Sequence, residues 1–434
     1  MQTAAIVGLG LVFEGTVQRH MVEVLLAEIG RRPSDDRRQD REGYALAAGL
    51  ALGMVTLAQG RHAPGLSDMD IEDTLRRYID GGSRPRGFPS AASAIASGRD
   101  KVDPTTNPSG AVAPGETPGH SSLVFEGTAI NVDITAAGAM LALSLMFLKT
   151  NSIAVAERLA VPSTIFLLET MRPDLLLLRV LCRSLILWDS VQPSLSWIHS
   201  HVPFVLLSHL RAPNSVSARS HRFGGKCPGS FFFSNIPNTS ISYTYCRDTV
   251  QQAYLNILAG ACMAIGIRFA GSADKDAADV LFQQLAQFSN WRAGRPGEGA
   301  DQVDGAMAEA LLCSVAVSLS LVLAGTGNVR LLGILRTLHM RVSAGVSYGN
   351  HMAITTALSL LFLGAGRYTL STSNSAIAAM LAALYPLYPA HPHDNRYHLQ
   401  VSKIVFSFLE VIFCYYRPFG ICSCSLLNLD AWSL

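Results

Sequence analysis

The chain has 434 residues, 49% of them hydrophobic and 15% charged, with a formal charge of +2 at neutral pH. There is apolar material for a large core, and the near-neutral balance excludes a partner held by broad electrostatics, such as nucleic acid. The eight cysteines show no framework spacing, and Cys182, Cys262 and Cys313 fall in apolar helical runs as buried free thiols do, so the expected compartment is reducing.

In chain order, an apolar helix begins at Ala4, with no basic segment before it to mark a signal peptide. After a turn at Gly15, His20 to Ile29 is a second helix, with Met21, Val24, Leu25 and Ile29 at helical spacing and Gly30 as its stop. Arg31 to Arg41 reads as a charged loop, Tyr44 to Gly60 as the next apolar helix, and Ser67 with Asp70 as the start of its partner, which reaches Tyr78. From Gly81 to Gly127, Gly, Pro, Ser, Thr and Ala displace large apolar residues, the composition of a disordered insertion in which Arg84 and Arg86 are solvated charges. Ile130 to Asn151 is another apolar helix, with a partner through Ala154 to Met171, and Leu175 to Trp188 follows as a degenerate copy with Val180 and Ser184 in its small positions. Ser208 to Ser242 is rich in Ser, Pro and Arg, includes the run Phe231 to Phe233, and shows neither helical nor strand period. It is either a linker or not native coding sequence, and the aromatic, Cys-rich tail from Val401 to Leu434 reads the same way.

Two near-copies organise the rest: Ser314 to Asn328 (SVAVSLSLVLAGTGN) and Ala353 to Tyr368 (AITTALSLLFLGAGRY), 39 residues apart. Further copies begin at Ala4, Ala47, Gly138 and Gly260, a pattern of repeated units. Their first column is Ala4, Ala47, Gly138, Gly260, Ser314 and Ala353, and four residues later come Gly8, Ala51, Ala142, Ala264, Ser318 and Ala357. All twelve are small. Seven residues further stand Gly15, Ala58, Lys149, Gly271, Gly325 and Gly364, small except for Lys149. At about 100° per residue, offsets of 0, 4 and 11 fall within roughly 40° of one another, which predicts one smooth face per helix for close backbone approach. The columns headed by Leu9 and Leu11 are large and apolar throughout, giving each helix a bulky face as well. The fold class is all-α, an α-helical repeat array.

Small and large residues alternating up to a Gly turn resemble the proteasome/cyclosome repeat. That repeat occurs in the two large non-ATPase subunits of the proteasome regulatory particle and in the largest subunit of the anaphase-promoting complex. The blocks RHMVEVLLAEIG (Arg19 to Gly30), EGYALAAGLALGM (Glu42 to Met54) and Leu360 to Gln400 are similar to the last of these. The resemblance implies repeats over 1–80, 130–203 and 250–400, an insertion over 81–129, and non-family or linker segments at 204–249 and 401–434. It also implies part of a toroidal α-solenoid and a non-catalytic scaffold in a multi-subunit ubiquitin ligase controlling the metaphase to anaphase transition. Other subunits of that complex, including its coactivator and substrate-recognition region, are the implied partners. No cofactor, metal, nucleic acid, membrane or small-molecule substrate is expected, and the location is nucleus and cytoplasm. Because Ala4 already stands inside a repeat helix, the chain is expected to be a fragment.

Gly345-Val346-Ser347-Tyr348-Gly349 has the spacing of a nucleophile elbow, but a helical run from Leu331 to Arg341 stands where a strand is required. His391 and His393 flank prolines in a loop, and with His398 they lack a completing ligand set. Cys414, Cys422 and Cys424 lie in the foreign-looking tail, and Gly8-Leu9-Gly10 and Gly325-Thr326-Gly327 lack the third glycine of a dinucleotide fingerprint. A proteasome regulatory-particle subunit is the alternative within the repeat family. A polytopic membrane protein is the remote one, since Gly43 to Gly60, Thr249 to Ile267 and Ala310 to Val329 are uncharged for most or all of their length.

Overall fold

In the computed structural model, the described residues are 2–31, 41–63, 65–82, 130–211, 247–293, 305–342, 345–364 and 370–391. The insertion over 83–129, the stretch 212–246 and the tail 401–434 lie outside them. Among the described residues the chain is all-α, a helical repeat array without strands.

The helices in chain order are α1 (Gln2–Val12), α2 (Arg19–Ile29), α3 (Arg41–Val55), α4 (Ile71–Asp80) and α5 (Val132–Met146). Then come α6 (Ile153–Arg158), α7 (Ile165–Thr170), α8 (Pro173–Ile186), α9 (Leu195–Ser200) and α10 (Phe204–Arg211). The remainder are α11 (Arg247–Arg268), α12 (Lys275–Arg292), α13 (Gly305–Val322), α14 (Val329–His339), α15 (Tyr348–Leu361) and α16 (Asn374–Ala383). One helix differs from the sequence expectation. The partner helix expected through Ala154 to Met171 is broken into α6 and α7, since Pro162 denies its residue a backbone donor and biases Val161 away from helix. Beyond Pro203 the chain forms α10, whose Leu206 and Leu210 are buried four residues apart.

Seven helices, α1, α3, α5, α8, α11, α13 and α15, stand side by side in that order. Those in the middle of the row are apolar all round and buried on every face: α5 is buried without a break from Thr135 to Met146. Apart from α16, the remaining helices form a second layer, each lying chiefly over an inner helix of a later unit: α2 over α3, α4 over α5, α12 over α13, α14 over α15. Adjacent units are thereby tied like overlapping bricks. The Ile130 N–H donates to the Gly82 carbonyl at 3.1 Å, so the described residues on either side of 83–129 meet.

The segment 370–391 departs from this plan. Its helix α16 packs on α3, Ser314 on α13 donates to the Pro386 carbonyl at 2.9 Å, and Gly349 on α15 faces Tyr388 and Pro389. In a straight row, five steps of about 8–10 Å would separate α3 from α15. A ten-residue helix of about 15 Å followed by six extended residues of about 20 Å cannot span that distance. The row is therefore curved, with 370–391 crossing its inner side.

Candidate functional site

The repeated chemistry of this chain lies in its backbone turns. After five of the seven inner helices, the residue of the third column donates its N–H to a carbonyl near the end of the next inner helix. The bonds are Gly15 to Met54 at 2.9 Å, Ala58 to Leu145 at 2.9 Å, Lys149 to Leu185 at 3.1 Å, Gly271 to Leu321 at 2.8 Å and Gly325 to Leu360 at 3.0 Å. Two residues later a second rung forms: Val17 to Val55, Asn151 to Ile186, Ala273 to Val322 and Gly327 to Leu361, all between 3.0 and 3.1 Å. Every donor residue in both sets has positive φ, from +51° at Asn151 to +67° at Gly325. Two left-handed residues with one between them point successive donors at the neighbouring unit. The ladder also fixes the register of the degenerate copy, since Leu185 and Ile186 take the places of Met54 and Val55. This puts Leu178 and Cys182, not Val180 and Ser184, in its small columns. At α8 the ladder gives way to a 3₁₀ turn over Trp188–Ser190.

The sequence-predicted small residues thus divide into two roles. Gly15, Ala58, Gly271, Gly325 and Gly364 lie beyond the helix ends and not on a helix face; at Gly15, Gly271 and Gly325 glycine suits the left-handed backbone, which Ala58 adopts at a cost. The first two columns lie within the helices. A Cβ on Gly138 would stand 2.3 Å from the Ala45 carbonyl oxygen, and one on Gly260 would stand 2.5 Å from that of Leu177. Ala51 and Ser318 receive Gly10 and Gly266 at comparable range, and Ala142 receives Gly53. Ala47, Ala264, Ser314, Ala353 and Ala357 are buried, whereas Ala4 is half-buried and Gly8 has open space around its α-carbon. Sequence reasoning missed the second left-handed column, although Gly60, Asn151 and Gly327 are residue types that tolerate it.

Three polar groups tie elements together. Arg172 donates to Glu42 at 2.7 Å, to the Asp133 carbonyl at 2.9 Å and to Asp174, joining α3, α5 and α8. Glu309, buried on α13, is held by Arg341 at 2.9 Å and Arg292 at 3.4 Å, so the ends of α12 and α14 close on one carboxylate. Lys149 and Arg268 each stand 4.9 Å from the centroid of the Trp188 ring, and the Lys149 ammonium also donates to the Thr372 carbonyl of the crossing segment. Burial pushes the Cys182 thiol up to about 12 and those of Cys262 and Cys313 higher still, which makes them poor nucleophiles. Burial, and then the neighbouring Arg183, lower His201 to about 4.

Ser347, the central residue of the elbow-like motif, caps the N-terminus of α15 by accepting from the Asn350 N–H at 3.3 Å. Its position is that of a helix cap after a helix, not of a nucleophile after a strand. His391 is exposed, while His393, His398 and the three tail cysteines lie outside the described residues, among which no cluster of three metal-ligating side chains occurs. Asp248–Arg268 and Gly305–Val322 are long and apolar enough to cross a membrane, but 94% and 78% of their apolar windows are buried inside the array. Their composition is accounted for by having inner helices on both sides.

Comparison with known families matches residues 1–408 to the APC1 fifth domain. The chain is 41% identical over 405 residues to anaphase-promoting complex subunit 1 of Mus musculus, covering 93% of this chain and 18% of that protein. It is 40% identical over 405 residues to the Homo sapiens protein of the same name, again 93% of this chain and 18% of the relative. With the Arabidopsis thaliana protein the identity is 35% over 413 residues, 93% of this chain and 22% of the relative. The chain thus spans about a fifth of the length of these curated relatives.

Proposed function

The chain belongs to the family of the APC1 fifth domain, and from this we propose that it is a non-catalytic scaffold segment of the anaphase-promoting complex. The observation that carries the reading is the family match over residues 1–408. The architecture supports it: laddered turns and overlapping layers give an extended surface that holds its shape, which suits holding subunits in register. On this reading the chain joins other subunits of the complex and borders the region where coactivator and substrate are received. Ubiquitin transfer belongs to other subunits. Its working location is the nucleus and cytoplasm, in keeping with the buried free thiols of Cys182, Cys262 and Cys313.

The test is affinity purification of the tagged chain from dividing cells, with co-purifying proteins identified by mass spectrometry. Stoichiometric subunits of the anaphase-promoting complex are expected. Recovery of proteasomal ATPases in their place, or of neither, overturns the assignment.

A further inference from the structure

Lys149 occupies a left-handed position at φ +58°, where Gly15, Ala58, Gly271 and Gly325 stand in other copies. A lysine there costs about 1–2 kcal/mol of backbone strain, so its side chain is where a reason for it should be sought. The ammonium shares Trp188 with the Arg268 guanidinium, each 4.9 Å from the ring centroid, which places both charges within one Debye length of about 10 Å. Arg268 stacks on Trp188 and Phe269 but has no hydrogen bond or ion pair among the described residues, and its Nε is buried without a partner. Of the carboxylates only Asp189 acts on Lys149, and one of its oxygens is engaged by Asn151 at 2.6 Å. Burial first, and then the neighbouring Arg268, lower the lysine's affinity for its proton, while Asp189 opposes them. Lys149 meets the crossing segment at the Thr372 carbonyl, the peptide unit that continues into Ser373. Ser373 is exposed, and its hydroxyl caps α16 by accepting from the Ala376 N–H at 3.3 Å.

We propose that Lys149 and Arg268, gathered on Trp188, form a receptor for a phosphoryl group carried by Ser373, so that phosphorylation fastens the crossing segment to the inner helices. In the modification, the Ser373 oxygen forms a bond to the γ-phosphorus of a nucleoside triphosphate as the β,γ-bridging P–O bond breaks. A protein kinase's base takes the hydroxyl proton, and the nucleoside diphosphate leaves. The new dianion sits at the N-terminus of α16, where amide donors and the helix dipole favour it, and brings the two cations the charge they lack. Trp188 positions both by stacking. The segment would then be locked to the turns after α5 and α8 and to the end of α11 at once.

The test uses the full chain with phosphoserine incorporated at 373, and separately at the exposed Ser359 of α15 as a reference, each titrated by phosphorus NMR. The Ser373 phosphate should lose its second proton at least one pH unit lower than the Ser359 phosphate, a tenfold preference for the dianion, and Arg268→Gln should abolish most of that difference. Equal titration at the two sites overturns the proposal, as does indifference to Arg268→Gln in a variant with unchanged circular dichroism. Inorganic phosphate added to the unmodified chain distinguishes the source of the anion. No saturable response of the Arg268 Nε–H resonance at millimolar phosphate is expected, and saturation there would reassign the site to a free anion and overturn the Ser373 assignment.

Discussion

One substitution, made at two glycines, should have opposite effects. Gly49 on α3 faces Gly138 on α5 so closely that a Cβ would lie 2.1 Å from the Gly138 oxygen and 2.4 Å from its α-carbon, against 3.4 Å for ordinary contact. Because the obstruction is backbone, relief requires the two helices to separate by more than an ångström. A gap of 0.5–1 Å already forfeits a quarter to a half of each contact's attraction, and overpacking of this kind costs about 1–3 kcal/mol. Against this stands a helix-propensity gain of about 1 kcal/mol for Ala over Gly. Since the clash at Gly49 is the tightest among the described glycines, the upper part of the range applies, and Gly49→Ala should destabilise by about 2 kcal/mol net. Gly8 on α1 has nothing within 4 Å of the same point, so Gly8→Ala keeps only the propensity gain and should stabilise by about 0.5–1 kcal/mol. The assay is urea unfolding followed by circular dichroism, comparing midpoints at unchanged slope, with hydrogen exchange in α3 and α5 to localise the effect. If both variants shift the midpoint in the same direction, or Gly49→Ala is neutral, close backbone packing does not hold these inner helices together.

At the turns, Gly271→Ala at φ +66° should cost about 1–2 kcal/mol while Ala273→Gly at φ +52° should stabilise by a few tenths to about 1 kcal/mol, both read as shifts in thermal midpoint. Glu309→Ala leaves two partly buried guanidiniums without their shared carboxylate and should destabilise by about 2–3 kcal/mol, seen as a lowered midpoint in urea unfolding. His201 is lowered to about 4 when folded, against an ordinary value of about 6.5, so the unfolded chain takes up its proton first as pH falls. Its contribution is fully present above about 6.5, is lost on descending to about 4, and is flat below that. His201→Phe should flatten this part of the stability profile, measured by urea unfolding at a series of pH values.

The amino-acid sequence by itself determined the repeat, because small and large residues recur at fixed columns wherever an inner helix must be apolar on every face. From that recurrence the seven inner helices, including the degenerate copy, were legible. The meaning of the third column was not. Gly15, Gly271 and Gly325 are small whether they line a helix face or hold a left-handed turn, and residue size alone does not separate a packing constraint from a backbone one. Lys149 broke the first reading and fits the second, since a left-handed position limits φ and leaves a long side chain free to reach Trp188 and the Thr372 carbonyl. The tertiary structure alone decided the register of the degenerate copy, because its small columns hold Leu178 and Cys182 and only the hydrogen bonds from Lys149 and Asn151 align it. It alone placed residues 370–391 on the inner side of the curve. Their apolar pattern is satisfied equally by an outer helix or by a segment crossing the row, and the choice rests on long-range contacts with α3, α13 and α15 that no local periodicity encodes.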